Sequence, residues 1–206
     1  TAAALAAFYI QIKVGHVEAG LRTNNIYSPW PEEANRQITG VLANYHFAPT
    51  ENSKQNLLVE NKPESLITIT GNTVVDALFL ALNKIQSDND LKQSIRGKLI
   101  KEGFTPNPER KIILVTGHRR ENFGYGFINI CEALKEIASS HPEIDVVYPV
   151  HLNPNVQQPV QNLISDVSNI YLIKPLEYES FLYLMNESYF LITDSGGIQE
   201  EAPSLG

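Results

Sequence analysis

Carboxylate and guanidinium groups cluster early in the chain, where a short predicted strand ends. Glu18 and Arg22 follow that strand, and Glu32 and Arg36 lie four residues apart in the next predicted helix. In a partly dry pocket near arginine, two neighbouring carboxyl groups have different pKa values. One can therefore act as a base and the other as an acid or electrostatic partner. The pattern therefore makes Glu18 and Glu32 candidates for acid–base chemistry in one cleft. The alternative is that Glu32 and Arg36 form an exposed helix pair that contributes about 0.3–0.5 kcal/mol.

A histidine and two arginines follow the most apolar predicted strand, in the segment Gly117-His-Arg-Arg-Glu-Asn-Phe-Gly124. Such a cationic group at the carboxyl end of a strand can bind a diphosphate and donate a proton to it. His118 is the leading catalytic candidate here, with Arg119 as a phosphate contact. The alternative is a histidine whose hydrogen bonds the backbone satisfies.

A small-residue turn follows the apolar run Tyr189-Phe-Leu-Ile-Thr193, in Asp194-Ser-Gly-Gly-Ile-Gln-Glu-Glu201. A buried strand that leads through such a turn into a helix start offers backbone N–H groups to an anion. Ser195, Gly196 and Gly197 predict a phosphate site, and Glu200 or Glu201 can accept hydrogen bonds from sugar hydroxyls. A nucleotide satisfies both halves, whereas the alternative is an ordinary glycine-rich turn.

Seven short apolar segments alternate with helical patterns, which predicts parallel strands in an α/β fold. We expect two doubly wound halves with ligands in the cleft between them, the limit lying after the third strand. The predicted ranges are 1–71, the carboxyl-terminal part of a first Rossmann-like domain, and 72–206, a second one. The opening segment 1–10 is apolar but too short to span a bilayer, and it predicts a buried helix. The chain lacks an initiating Met and ends where a parallel sheet normally continues, so we expect an internal fragment, truncated at both ends.

Composition excludes several classes of protein. The 206 residues carry a formal net charge of -7 without a basic run, which argues against a nucleic-acid partner. Cys131 is the only cysteine, so neither an internal disulfide nor a cysteine-based zinc site is possible, and a cytoplasmic location fits. No motif requires a metal or a membrane. Of the remaining histidines, His151 follows a strand, a position that either lines the ligand cleft or faces solvent, whereas His16, His46 and His141 are expected to pack or to face solvent.

Five motifs, in this order, resemble the bacterial non-hydrolysing UDP-N-acetylglucosamine 2-epimerases. They are His16-Val-Glu-Ala-Gly-Leu-Arg-Thr23, Pro29-Trp-Pro-Glu-Glu-Ala-Asn-Arg36, Ile69-Thr-Gly-Asn-Thr73, Thr116-Gly-His-Arg-Arg-Glu-Asn122 and Thr193-Asp-Ser-Gly-Gly-Ile-Gln-Glu-Glu-Ala202. The resemblance covers essentially the whole chain. It implies a glycosyltransferase-B-type fold of two Rossmann-like domains, without a cofactor, and a cytoplasmic homodimer in the full-length protein.

The family's reaction interconverts UDP-GlcNAc and UDP-ManNAc for surface polysaccharide synthesis. The resemblance implies removal of the C2 proton, elimination of UDP to a 2-acetamidoglucal, and re-addition of UDP after reprotonation on the opposite face. By matching motif, Glu18 and Glu32 resemble the acid–base carboxylates and His118 the catalytic histidine. The resemblance assigns the remaining roles as follows: Arg36 supports the carboxylates or the substrate, Ser195, Gly196 and Gly197 hold the diphosphate, Glu201 the ribose, and Phe181 one side of the uracil.

Two rival functions share the same UDP site: a glycosyltransferase of this fold, and a nucleotide-sugar binding module without turnover. Segments that the family uses on both sides of this chain are missing from it, among them an aspartate-bearing loop. We therefore expect the 206-residue chain itself to have little or no epimerase activity, and the full-length protein to be active.

Overall fold

A computed structural model of the chain describes residues 1–117 and 124–206. Strands and helices alternate, and all strand pairs among these residues are parallel, which confirms the predicted α/β class. The described chain divides into two compact units, Thr1–Asp76 and Ala77–Gly206. The domain limit between residues 71 and 72 that the sequence favours stays a prediction.

The first unit contains a three-stranded sheet in the order β1-β2-β3. Its strands are β1 (Gly15–Val17), β2 (Tyr45–Ala48) and β3 (Ile67–Ile69), and its helices are α1 (Ala2–Tyr9), α2 (Glu32–Leu42) and α3 (Glu51–Val59). Helix α3 begins after Thr50, whose hydroxyl accepts a hydrogen bond from the Ser53 backbone N–H, as the sequence predicts for a helix cap. The small buried core of the first unit consists of Ala19, Ala48, Leu57 and Ile67.

Glycine is required where the chain leaves β1. Gly20 has a φ of +84°, and a Cβ there would lie 2.1 Å from the carbonyl oxygen of Ser53 in α3. The backbone therefore passes α3 at a distance that admits no side chain, and this close approach fixes the course of the segment that carries Glu18 and Arg22.

The second unit contains a four-stranded sheet in the order β6-β5-β4-β7. Its strands are β4 (Lys111–Thr116), β5 (Ile144–Pro149), β6 (Ile170–Ile173) and β7 (Phe190–Thr193). Its helices are α4 (Thr73–Ser87, which begins in the first unit), α5 (Asn89–Lys101), α6 (Tyr125–Ser140), α7 (Pro154–Ile164), α8 (Tyr178–Glu187) and α9 (Gly196–Glu201). The strand order reverses between β4 and β7, which makes their carboxyl ends a topological switch point, where ligands of such folds bind.

Two apolar clusters cover the two faces of this sheet, because successive strand residues point to opposite faces. Ile112 and Leu114 of β4 join one cluster, with α4, α5 and α8, while Ile113 and Val115 join the other, with α6 and α7. Doubly covered strands of this kind confirm the doubly wound arrangement that the sequence indicates for this half.

Two burial predictions are wrong. Helix α1 forms as expected, but Ala4 is its only buried residue and Phe8 is 57% exposed, because the described chain packs the helix mainly against α2. Strand β7 is likewise not buried: Phe190 is 59% exposed, since β7 pairs only with β4 among the described residues. Helices α7 and α8 carry no assignment in our sequence analysis, although they connect predicted strands.

None of the helices in the described ranges is both long and apolar enough to cross a lipid bilayer.

Candidate active site

The carboxyl ends of β4 and β7 are tied together at the switch point. The hydroxyl oxygens of Thr116 and Thr193 lie 2.6 Å apart, and the backbone N–H of Asp194 donates to the Thr116 carbonyl oxygen at 3.2 Å. The buried Tyr148 hydroxyl donates to the Gly117 carbonyl oxygen at 3.0 Å, and burial raises the pKa of this phenol. Gly117, the residue before the segment 118–123, is therefore held beside the turn that begins at Asp194.

The turn itself has the form that the sequence predicts. Ser195 precedes α9, and its backbone N–H donates to the Thr193 hydroxyl oxygen at 3.0 Å. Gly196 and Gly197 occupy the first two positions of α9. Apart from its chain neighbours and the backbone of α9 itself, no atom of the described residues lies within 4 Å of where a Cβ of Gly197 would stand. Backbone N–H groups at the start of a helix, without side-chain bulk nearby, can bind an anion by donating hydrogen bonds to it.

Glu201 lies at the end of α9 and is partly buried. Burial raises the pKa of its carboxyl, and the neighbouring Glu200 raises it further. The pKa of the Tyr178 phenol is raised by burial and, to a smaller extent, by the negative charge of Glu201. Glu201 is thus a partly buried carboxylate, whose charge hydrogen-bond donors such as hydroxyl groups would stabilise.

Four further sequence-based candidates belong to the second unit. His118 and Arg119 lie outside the described residues. Phe181 stands on α8, half-buried, and packs against the apolar cluster formed with α4 and α5. His151 is exposed, and its Nδ1 accepts a hydrogen bond from the Asn153 backbone N–H at 3.1 Å.

In the first unit, Glu18 directly follows β1 with a φ of +59°, a left-handed conformation that is uncommon for residues other than glycine. Its side chain is half-buried. Arg22, four residues later, is not available to a ligand: its Nε and Nη2 donate to the two carboxylate oxygens of Glu60 at 2.5 and 2.9 Å, and its side chain is 2% exposed. This arginine therefore positions the loop after β1.

A pocket of about 380 Å³ lies beside the first turns of α2. Among the residues that line it are His16, Trp30, Glu32, Asn35, Arg36 and Thr39. Glu32 and Arg36 form the expected ion pair at 2.5 Å, with the side chain of Glu32 52% exposed. The structure thus brings Glu32 and Arg36 into one pocket, while Glu18 is not among the lining residues, so the convergence of Glu18 and Glu32 stays a prediction.

Of the residues that line this pocket, the sequence identified only Glu32 and Arg36 as candidates, and His16 is one of those it did not identify. The half-buried ring, which is expected to pack or to face solvent, lines the pocket with Glu32 and Arg36. The expectations for His46, which is buried, and for His141, which is exposed at the end of α6, are confirmed.

The adjacent carboxylates Glu32 and Glu33 have different environments. Glu33 is fully buried, and it accepts hydrogen bonds from the Thr23 backbone N–H at 3.2 Å and from the Gln37 side chain at 2.9 Å. Burial alone would raise the pKa of Glu33, but these hydrogen bonds and the charge of Arg22 outweigh it and lower the pKa. Glu33 therefore anchors the loop to α2, which leaves Glu32 as the carboxylate that a ligand can reach.

Among residues 1–117 and 124–206, no group of three or more His, Cys, Asp or Glu side chains is arranged to hold a metal ion.

A parallel sheet with helices on both faces and a glycine-containing turn at its switch point defines a doubly wound α/β protein. The family model for UDP-N-acetylglucosamine 2-epimerase matches residues 1–206, and the chain belongs to that family. A Campylobacter jejuni UDP-N-acetylglucosamine 2-epimerase is 64% identical over 203 residues, which are 98% of this chain and 53% of that protein. The chain spans about half the length of the curated relatives it matches.

Solved structures agree with this assignment. A Neisseria meningitidis UDP-GlcNAc 2-epimerase bound to UDP-GlcNAc matches with a TM-score of 0.90 and 52% identity, over 99% of this chain and 54% of that one. A Methanocaldococcus jannaschii UDP-GlcNAc 2-epimerase in complex with UDP-GlcNAc and UDP matches with a TM-score of 0.77 and 33% identity, over 99% and 54%. The fold is thus that of the UDP-GlcNAc 2-epimerases, of glycosyltransferase-B type, as the resemblance implies.

Proposed function

We propose that the full-length protein carrying this sequence interconverts UDP-GlcNAc and UDP-ManNAc. The observation that carries the proposal is the turn Ser195–Gly197 at the switch point between β4 and β7, where Thr193 orients the Ser195 backbone. The family membership, and relatives whose structures hold UDP-GlcNAc, support the same ligand.

The second unit binds the UDP portion in this proposal. The backbone N–H groups of Ser195, Gly196 and Gly197 hold the diphosphate, since helix-start amides favour negative charge. Glu201 accepts hydrogen bonds from the ribose hydroxyls, and its burial strengthens these bonds because water competes less. Phe181 offers an aromatic surface on α8 to the uracil.

The first unit supplies the acid–base chemistry. Glu18 and Glu32 act as base and acid at C2, and Arg36 holds Glu32 in place through their ion pair. A carboxylate removes the C2 proton, the C1–O bond to the diphosphate breaks, and a C1–C2 double bond forms, which gives a 2-acetamidoglucal and free UDP. Protonation of C2 on the opposite face and attack of a diphosphate oxygen on C1 then give the epimer.

The departing diphosphate gains negative charge, so cationic groups must face it. The family resemblance assigns this task to His118 and Arg119, which follow β4 and lie outside the described residues. Their attachment point supports the assignment, because Gly117 is held beside the Asp194 turn: a Cβ on Gly117 would lie 3.9 Å from Asp194 Oδ2.

Solvent exchange tests the proposal. We expect the full-length protein, incubated with UDP-GlcNAc in D2O, to incorporate deuterium at C2 and to form UDP-ManNAc, both followed by proton NMR. Glu18→Gln and Glu32→Gln should each slow exchange by at least about 10²-fold, as expected for loss of a general acid or base, while UDP still binds. Glu64→Gln is a matched control, since Glu64 is exposed and paired with Lys54.

Two results would contradict this function. Transfer of the sugar to an acceptor without deuterium at C2 would identify a glycosyltransferase. Binding of UDP-GlcNAc without any exchange would identify a binding module.

We also infer that the full-length protein is a cytoplasmic homodimer that supplies ManNAc for surface polysaccharide. Residues 1–71 belong to its first Rossmann-like domain and 72–206 to the UDP-binding domain. The family resemblance supports these assignments. Light scattering on the purified full-length protein tests the dimer, and a monomeric mass at micromolar concentration would refute it.

A further inference from the structure

His16 belongs to the pocket that holds Glu32 and Arg36. It lies in the middle of β1, and its ring reaches a space bounded by the first turns of α2 and by Thr1. The other polar side chains that line this space, Asn35 and Thr39, are engaged by the Thr1 hydroxyl. The buried Nδ1 of the His16 imidazole, by contrast, has no hydrogen-bond partner in the part of the chain that the structure describes.

The orientation of the ring follows from its neighbours. His16 is paired in register with His46 on the adjacent parallel strand, so both rings stand on the same face of the sheet. Nδ1 of each ring is buried and has no hydrogen-bond partner among the described residues. The edge of the His16 ring that remains for a ligand is thus the one that carries Nε2.

The environment keeps this ring uncharged. Burial lowers the pKa of His16 to about 4, and the positive charges of His46, Arg22 and Arg36 lower it further. A neutral imidazole has one N–H group, and a buried N–H without an acceptor is rarer than an unsatisfied acceptor. We therefore assign the proton to Nε2, which makes His16 a neutral donor that faces the pocket.

We propose that His16 is a further substrate-binding residue, which donates its Nε2–H to an oxygen of the hexosamine next to Glu32. This inference rests on the proposed function, because it places the sugar in the pocket of Glu32 and Arg36. A neutral donor suits this position for a physical reason. A charged imidazolium beside Glu32 would stabilise the carboxylate and weaken it as a base, whereas a neutral ring fixes the sugar without that penalty.

The test compares the affinities for the nucleotide with and without its sugar. In the full-length protein, His16→Phe retains an aromatic ring and removes the donor, whereas His16→Gln retains a neutral N–H near the position of Nε2. We expect His16→Phe to weaken UDP-GlcNAc binding about tenfold, and kcat/KM to fall by at least that factor, as for loss of one hydrogen bond to a buried group. The Kd for UDP should stay within about twofold, and His16→Gln should recover most of the loss.

His46→Leu is the matched control, because His46 is the buried register partner of His16 and does not line the pocket. It should leave the ratio of the two Kd values within about twofold of wild type. If His16→Phe does not fold, His16→Asn takes its place, since its shorter side chain withdraws the donor from the pocket.

The results separate this inference from the proposed function. A His16→Phe protein with a wild-type ratio of UDP-GlcNAc to UDP affinity overturns the role of His16, even if wild type is an active epimerase. An equal loss of affinity for both ligands also overturns it, because that would indicate a general structural defect. Absence of C2 exchange in wild type refutes the epimerase function, and the affinity ratio still decides whether His16 contacts the sugar.

Discussion

The Thr116 and Thr193 hydroxyl oxygens lie 2.6 Å apart and join the carboxyl ends of β4 and β7. The same Thr193 oxygen accepts the Ser195 backbone N–H at 3.0 Å. One hydroxyl therefore connects the strand that leads to His118 with the turn that leads into α9. The spacing of two sequence-distant motifs depends on this contact.

We expect Thr193→Val to lower the free energy of unfolding by about 1–3 kcal/mol, because it removes the hydroxyl and leaves the Ser195 N–H without its acceptor. The affinity for UDP should fall as well, since the turn loses its orientation. Urea unfolding and isothermal titration with UDP measure the two effects. Thr193→Ser retains the hydroxyl and should stay close to wild type; equal behaviour of the two variants would show that the hydroxyl is not what orients the turn.

Truncation of Glu32 and of Glu33, which are adjacent in α2, should change the stability of the protein by different amounts. Glu33→Ala leaves the Thr23 N–H and the Gln37 amide without their acceptor in a buried position, and we expect a loss of about 1–3 kcal/mol in stability. Glu32→Ala removes only a partly exposed helix pair and should change stability by about 0.5 kcal/mol or less. Thermal unfolding of the two variants checks this, and a larger loss for Glu32→Ala would contradict the assignment of Glu33 as the anchor.

Gly20→Ala should be strongly destabilising, because its Cβ would overlap the Ser53 carbonyl oxygen and φ is +84°. We expect a loss of at least about 2–3 kcal/mol, the range for a backbone forced to move in a packed region. Gly71→Ala is a matched control: its φ is +77°, but no atom lies within 4 Å of its Cβ position. Gly71→Ala should lower the free energy of unfolding only by the cost of placing alanine in a left-handed conformation, about 1 kcal/mol. Similar losses at both positions would mean that contact with α3 is not the cause.

Stability should fall as the pH falls below 6.5. Burial lowers the pKa of both His16 and His46, so the folded protein holds the rings neutral where the unfolded chain, with a pKa near 6.5, takes up protons. The contribution is present above pH 6.5 and is lost towards about pH 4, the folded pKa of His16. Urea midpoints between pH 7 and 5 measure this slope. The double variant His16→Gln/His46→Gln should flatten it, and an unchanged slope would exclude these two rings as its source.

Cys131 should not react with a thiol reagent in the folded protein. It is fully buried in α6, and burial raises the pKa of its thiol to about 11, so almost no thiolate is present near neutral pH. Ellman's reagent should label it only after denaturation in urea. Rapid labelling of the native protein would show that α6 opens or packs differently.

The alternation of apolar strands and amphipathic helices was readable along the chain because each pattern is local. Helix α2 begins and ends where its sequence indicates, at Glu32 and Leu42, and the Thr50 cap marks the start of α3. Burial was less predictable, as α1 and β7 show, since an apolar segment says nothing about which partner covers it. The motif around Ser195 identified its turn for the same local reason: glycine and serine permit a backbone that other residues do not.

The sequence by itself determined the α/β class, the parallel pairing and the residues that can do chemistry. Only the tertiary structure decided how those residues are used, because contact between distant segments depends on strand order and register. Strand order placed β7 beside β4, register placed His16 beside His46, and helix phase buried Glu33 while it left Glu32 at the pocket. Arg22 and Glu60 illustrate the same limit: 38 residues separate them, and their pairing is visible only where the loop after β1 meets the end of α3.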